Sequence, residues 1–121
     1  MAARFDAQTL TTLRTAKEVG IRTSRHPDRA IVIWVVVVGD DVFVRSFRGP
    51  KALWYVAAAT DGRATLEIGS RQIPVRVLPV ADSTAIASIS TAYLTKYATS
   101  RYAEEMVRTE ILPTTLRLEP R

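Results

Sequence analysis

The chain contains no cysteine and a single histidine, His26. The first absence excludes a disulfide framework, a thiolate metal site and a cysteine nucleophile. The second excludes a metal cage built from several histidines, and any Ser-His-Asp triad would have to use His26. That residue stands in Arg25-His26-Pro27-Asp28-Arg29, where Pro and Asp predict a turn and the histidine reads as a solvated loop side chain. Carboxylate pairs at catalytic spacing are missing as well. Asp40-Asp41 reads as a turn and Glu104-Glu105 as a solvated helix face, so acid–base hydrolysis has no visible apparatus. The longest apolar run, Ala30 to Val38, is too short to span a bilayer, and MAARFDAQTL lacks the apolar core of a signal peptide. The expectation is a cytoplasmic protein with no metal and no membrane partner.

Lysine is scarce. It stands only at Lys17, Lys51 and Lys96, and arginine supplies the rest of the 17 basic residues, which against 12 acidic ones give a formal net charge of +5. The cations are scattered with no run of three, whereas a nucleic-acid face concentrates its charge. The pattern argues against a nucleic-acid partner and for a small phosphorylated ligand met by a few placed arginines.

What is present is ordinary globular composition, 47% hydrophobic and 24% charged, in one domain spanning residues 1–121. Asp6 predicts the cap of a helix over Phe5 to Lys17, with Leu10, Leu13 and Ala16 on one face. Val19 to Arg25 alternates as a strand. Ile31 to Val38 is β-branched apart from Trp34 and reads as one strand buried on both faces. Gly39-Asp40 signals a hairpin to Asp41 to Phe47, which places Val37 opposite Val42, Val35 opposite Val44, and Trp34 opposite Arg45. Pro50 to Ala59 is predicted as a helix begun by proline and ended by Asp61-Gly62. Ala64 to Ile68 and Arg71 to Val80 form a second hairpin, with Leu66 facing Ile73, Ala64 facing Val75, and Pro74 marking an edge or bulge. Asp82 caps a helix through about Ala98 with the stripe Ile86, Ile89, Tyr93 and Tyr97. Lys96 beside that stripe reads as a surface lysine. Ser100 starts a shorter helix pairing Glu104 with Arg108, and Pro113 leads into a strand over Thr114 to Leu118. Hairpins dominate, so the fold class is α+β, mainly β: a six-stranded antiparallel barrel with N-terminal, middle and C-terminal covering helices.

Arg45-Ser46-Phe47-Arg48-Gly49-Pro50-Lys51 is the most informative stretch. A strand ends, a glycine turn follows and a helix begins, so open amides and the donors of Ser46, Arg48 and Lys51 predict an anion site. Gly49 permits close backbone approach, and Trp54 and Tyr55 one turn later flank a planar ring. The bland alternative is a basic loop followed by a helix whose aromatics are core. Arg22 and Arg45 join the site if their strands converge; otherwise they are solvated, or Arg45 stacks on Trp34.

Residues 45–55, RSFRGPKALWY, resemble the segment of flavin- and deazaflavin-binding split barrels that reads Ser-Lys-Gly-Gly, a spacer, then Trp-Tyr. Ser46, Arg48, Gly49, Trp54 and Tyr55 carry the match. Trp34-Val35-Val36, Val44-Arg45-Ser46, Trp54-Tyr55, Tyr93, Lys96-Tyr97, Thr115-Leu116-Arg117-Leu118 and Pro120 resemble domain of unknown function family 2255, placed among split barrels similar to pyridoxamine-phosphate oxidase. The resemblance implies a homodimeric split barrel with FMN or deazaflavin at the subunit interface and oxidoreductase chemistry. Ser46, Arg48, Gly49 and Lys51 would hold phosphate and Trp54 would border the ring. The chain departs from that pattern with Gly-Pro for the glycine pair and Val56-Ala57-Ala58 where an asparagine-containing stretch is expected. The other class of reading is a cofactor-free binding or interaction module on the same fold.

Overall fold

Asp6 accepts the Thr9 amide at 2.7 Å and caps helix α1, Ala7–Thr15, in the computed structural model, which describes residues 3–121. Strands β1 (Val19–Thr23), β2 (His26–Ile33), β3 (Val35–Val38), β4 (Asp41–Val44), β5 (Arg63–Ile68), β6 (Arg71–Pro79) and β7 (Leu116–Pro120) follow in chain order. Helix α2 (Leu53–Asp61) lies between β4 and β5, and α3 (Ser83–Lys96) between β6 and β7. The strands make one seven-stranded sheet in the order β2-β1-β5-β6-β7-β4-β3, with every neighbouring pair antiparallel.

The expected single strand Ile31 to Val38 is two strands. β2 pairs with β1 at one edge of the sheet, β3 pairs with β4 at the other, and only Trp34 separates them. The edges therefore meet at Trp34, and the sheet is a curled half-barrel. A chain that changes ladder must leave it for a residue, and Trp34 does so, held by the Tyr93 hydroxyl donating to its carbonyl at 3.2 Å. The six expected strands become seven for this reason. The predicted Trp34–Arg45 pair does not form, although Val35↔Val44 and Val37↔Val42 do.

Inward-pointing side chains of all the strands pack with α1 and α2 inside the curl, where Leu13, Ile21, Val35, Val44, Leu66, Val75 and Leu116 are fully buried. On the outer face α3 lays Ile89, Tyr93 and Tyr97 against Val36 and Phe43, and Met106 and Ile111 complete this second cluster. Asp82 caps α3 by accepting the Ala85 amide at 2.8 Å. The second hairpin has the predicted register, Ala64↔Val75 and Leu66↔Ile73, and Pro74 lies one residue outside the β6–β7 ladder, where its missing amide breaks no bond.

Other expectations shift. His26 opens β2, and the turn is at Ser24-Arg25. The imidazole Nδ1 is buried and not in a solvated loop. Pro50 sits in a turn ahead of α2 and does not begin it. The helix after Ser100 is two 3₁₀ segments, Ala103–Val107 and Thr109–Thr114, with Pro113 inside the second. Arg108 there pairs with Glu105 and Glu110 and not with Glu104.

Lys96 is not a surface lysine. It is half-buried, and its Nζ donates to the Val35 carbonyl at 2.7 Å and the Leu13 carbonyl at 2.8 Å, tying α1 and the β3 edge to α3. Tyr97 adds to the same junction: its hydroxyl donates to the Lys17 carbonyl at 2.7 Å and accepts the Val35 amide at 3.2 Å. No helix among the described residues is long and apolar enough to cross a membrane.

Two predictions test this packing. A Cβ at Gly20 would stand 2.7 Å from the Ala30 Cβ and 3.3 Å from the Glu67 Cβ, so Gly20→Ala should destabilise by about 1–3 kcal/mol in urea unfolding, the usual cost of overpacking. Burial lowers the Lys96 pKa from 10.5 to about 8. Between those values the unfolded chain holds a proton that the folded protein has released, so stability rises with pH and is lost as pH falls through about 8. Burial raises Tyr97 from 10.0 to about 12, which reverses the slope above the unfolded tyrosine value. Unfolding free energy should climb from pH 8 toward pH 10 and then decline, and Lys96→Met should abolish the climb.

Candidate functional site

The corner at Trp34, the exit of β4, the start of α2 and the first 3₁₀ segment border one cleft of about 430 Å³, within the roughly 300–1,000 Å³ range of small-molecule sites. Its walls are aromatic: Trp34, Phe47, Trp54 and Tyr102. Ile31, Ile33 and Met106 add apolar surface, and Glu18, Arg45 and Arg48 are its charged members. Trp34 owes its place to the strand change. Its indole stacks on Tyr97 with ring centres 3.9 Å apart and planes 4° from parallel, so a buried ring backs this wall.

Arg45 is the largest fully buried side chain, 1% exposed. It extends the β4 strand beneath α3. Nε donates to Thr115 Oγ1 at 2.8 Å, Nη1 to Ser90 Oγ and to the Met106 carbonyl, both at 2.9 Å, and Nη2 to the Ile86 carbonyl at 3.0 Å. The guanidinium carbon lies 5.5 Å from the Tyr93 ring centre. Its acceptors are all neutral, and it forms no ion pair among the described residues. Burial accordingly lowers its pKa and raises that of Tyr93.

The glycine turn differs from the predicted anion cradle. Ser46 is fully buried, its amide donates to Thr114 Oγ1 at 3.0 Å and its hydroxyl to the Gly49 carbonyl at 2.7 Å. The Gly49 amide returns to the Ser46 carbonyl at 3.0 Å. Gly49 has φ +90°, the left-handed region that suits glycine, so its role is to shape this closed turn. The open donors lie further on. No side chain caps α2, and its first internal bond runs from the Val56 amide to the Ala52 carbonyl, which leaves the amides of Leu53, Trp54 and Tyr55 at the helix start. Arg48 is exposed at the cleft.

Of the residues singled out from sequence, Arg45, Arg48 and Trp54 converge on the cleft. Ser46, Gly49, Lys51, Tyr55 and Arg22 do not line it. Tyr55 reaches the Pro113 carbonyl at 3.4 Å. Arg22 is engaged on the outer sheet face, with Nε donating to Glu67 at 2.7 Å and Nη1 to the Pro27 carbonyl at 2.7 Å, and does not converge with Arg45. Sequence reading missed Glu18, Phe47, Tyr102 and the outward role of Trp34. Trp34 carried a signal, as the one residue of its run that is not β-branched. Among the described residues no group of three or more His, Asp or Glu side chains is placed to hold a metal.

No curated protein matches the chain. Among solved structures it is similar to the crystal structure of conserved hypothetical protein Rv2991 from Mycobacterium tuberculosis. Sequence identity is 11%, the match covers 97% of this chain and 79% of that one, and the TM-score is 0.63. That likeness is one of fold. The model of the uncharacterised proteins conserved in bacteria, DUF2255, matches residues 9–118, and the chain belongs to that family.

Proposed function

We propose that the protein binds a flat, anionic heteroaromatic cofactor of the flavin or deazaflavin class in the Trp34–Trp54 cleft, as a homodimer with the cleft near the subunit contact. The observation that carries the reading is the aromatic cleft bordered by a buried guanidinium with no anionic partner, Arg45, and an exposed one, Arg48. Buried charges are ordinarily paired, and a ligand phosphate or carboxylate supplies the missing anion. Arg48 and the open amides at the start of α2 would hold that anion. Trp34 and Trp54 would border the ring. The bound group would supply hydride chemistry, while this chain binds it, orients it and limits water around it.

The dimer is supported by the placement of exposed apolar side chains. Val32, Phe47 and Tyr102 are exposed and together rim the cleft. Apolar surface gathered on one side marks a contact face. The closed Ser46–Gly49 turn favours the second reading, a cofactor-free dimeric binding module using that same face.

Titration of FMN and deazaflavin with fluorescence detection tests the first reading. Binding at micromolar levels is expected, and Arg48→Ala should weaken it about tenfold or more, since a hydrogen bond to a charged group contributes about 1.5–3 kcal/mol. Failure of both compounds to bind selects the second reading. Val32 is 62% exposed, and Val32→Asp should shift the protein from dimer to monomer on a sizing column, with a thermal midpoint that no longer rises with protein concentration.

A further inference from the structure

The cleft carries one acidic group, and the anchoring described above leaves it without a partner. Glu18 lines the cleft and is exposed. In a chain of net charge +5 it forms no ion pair among the described residues, so it is not neutralised by Arg45 or Arg48. The backbone sets its position. The next residue, Val19, pairs with Ile33, which brings Glu18 alongside Trp34. The preceding carbonyl, of Lys17, accepts the Tyr97 hydroxyl at 2.7 Å, and Tyr97 is the ring on which Trp34 stacks. The backbone at Glu18 is thus held beside the indole platform, from which the side chain reaches the cleft. Arg48 enters from the segment after β4, together with Phe47.

An ionised carboxylate only accepts hydrogen bonds. A ring lying on Trp34 with its anionic tail at Arg48 would present an edge to Glu18. A carbonyl or other acceptor standing alone on that edge would meet repulsion, whereas an N–H would be held by a charge-assisted bond. We infer that Glu18 is a specificity-determining residue that selects ligands whose ring edge carries an N–H donor, namely heteroaromatic imides, amides or amidines bearing an anionic tail. This rests on the cleft reading above and narrows the ligand class.

The experiment compares FMN, whose ring edge has an imide N–H, with FMN methylated at that nitrogen, each titrated by fluorescence into the native protein and Glu18→Ala. The native protein should prefer FMN by about tenfold. Glu18→Ala should lose the preference and bind the methylated compound no more weakly than the native protein does. Glu18→Gln keeps one acceptor oxygen and should fall between. Equal binding of the two compounds by the native protein, or a preference that survives in Glu18→Ala, overturns the inference and leaves the cleft reading standing. Binding of neither compound to either protein overturns both. The side chain is exposed, and matching thermal midpoints exclude a folding defect.

Discussion

A single residue carries the chain from one edge of the sheet to the other. Laid flat, seven strands would place β2 and β3 about six spacings of about 4.8 Å apart, close to 29 Å, yet Ile33 and Val35 flank Trp34 directly and their Cα atoms lie within about 7 Å. Both ladders can form only if the sheet curls until its edges adjoin. The curl makes an interior for α1 and α2 to fill and an outer face for α3 to cover. It also expels the Trp34 indole from the alternation of either strand, and that displaced ring becomes a wall of the cleft. The fold and the candidate site thus share one cause.

The second organising element is costly. Arg45 is taken out of water with four neutral acceptors and an aromatic face in place of a carboxylate. Those bonds tie the end of β4 to Thr115 ahead of β7, to α3 and to the first 3₁₀ segment, elements distant in sequence. Hydrogen bonds to carbonyls and hydroxyls satisfy the donors but leave the charge uncompensated. That uncompensated charge stands beside the open aromatic cleft. On the other side of Trp34, Lys96 is handled the same way, its ammonium held by two backbone carbonyls.

Features that depend on near neighbours were legible in the residue order. Asp6 and Asp82 cap their helices, Gly62 closes α2 with φ +69°, and both hairpins keep the register that short turns impose. The misreadings share the opposite property. A run of valines and isoleucines looks the same whether it pairs with one neighbour throughout or changes partner midway, so the break at Trp34 was hidden. Lys96 was read as a surface side chain because charge predicts exposure, and Arg45 was left between a site residue, a solvated one and a stack on Trp34; the packing of α3 decides both. Within the candidate site, Arg48 and Trp54 were visible through their motif. Phe47 lay inside that motif, but its side chain offers no donor to draw notice, and Glu18 and Tyr102 come from separate stretches of chain.

By itself the order of residues determined the helix caps, the two hairpins and their registers, the antiparallel character and the family, because each depends on periodicity, turn chemistry or local motif. The tertiary structure alone decided that the sheet curls, that Arg45 lies buried without a carboxylate, that the Ser46 amide at the glycine turn is taken by Thr114, and that Glu18 meets the same cleft as Arg48. These are contacts between segments far apart in the chain, and their energies depend on distance and burial, quantities that exist only once the sheet has closed.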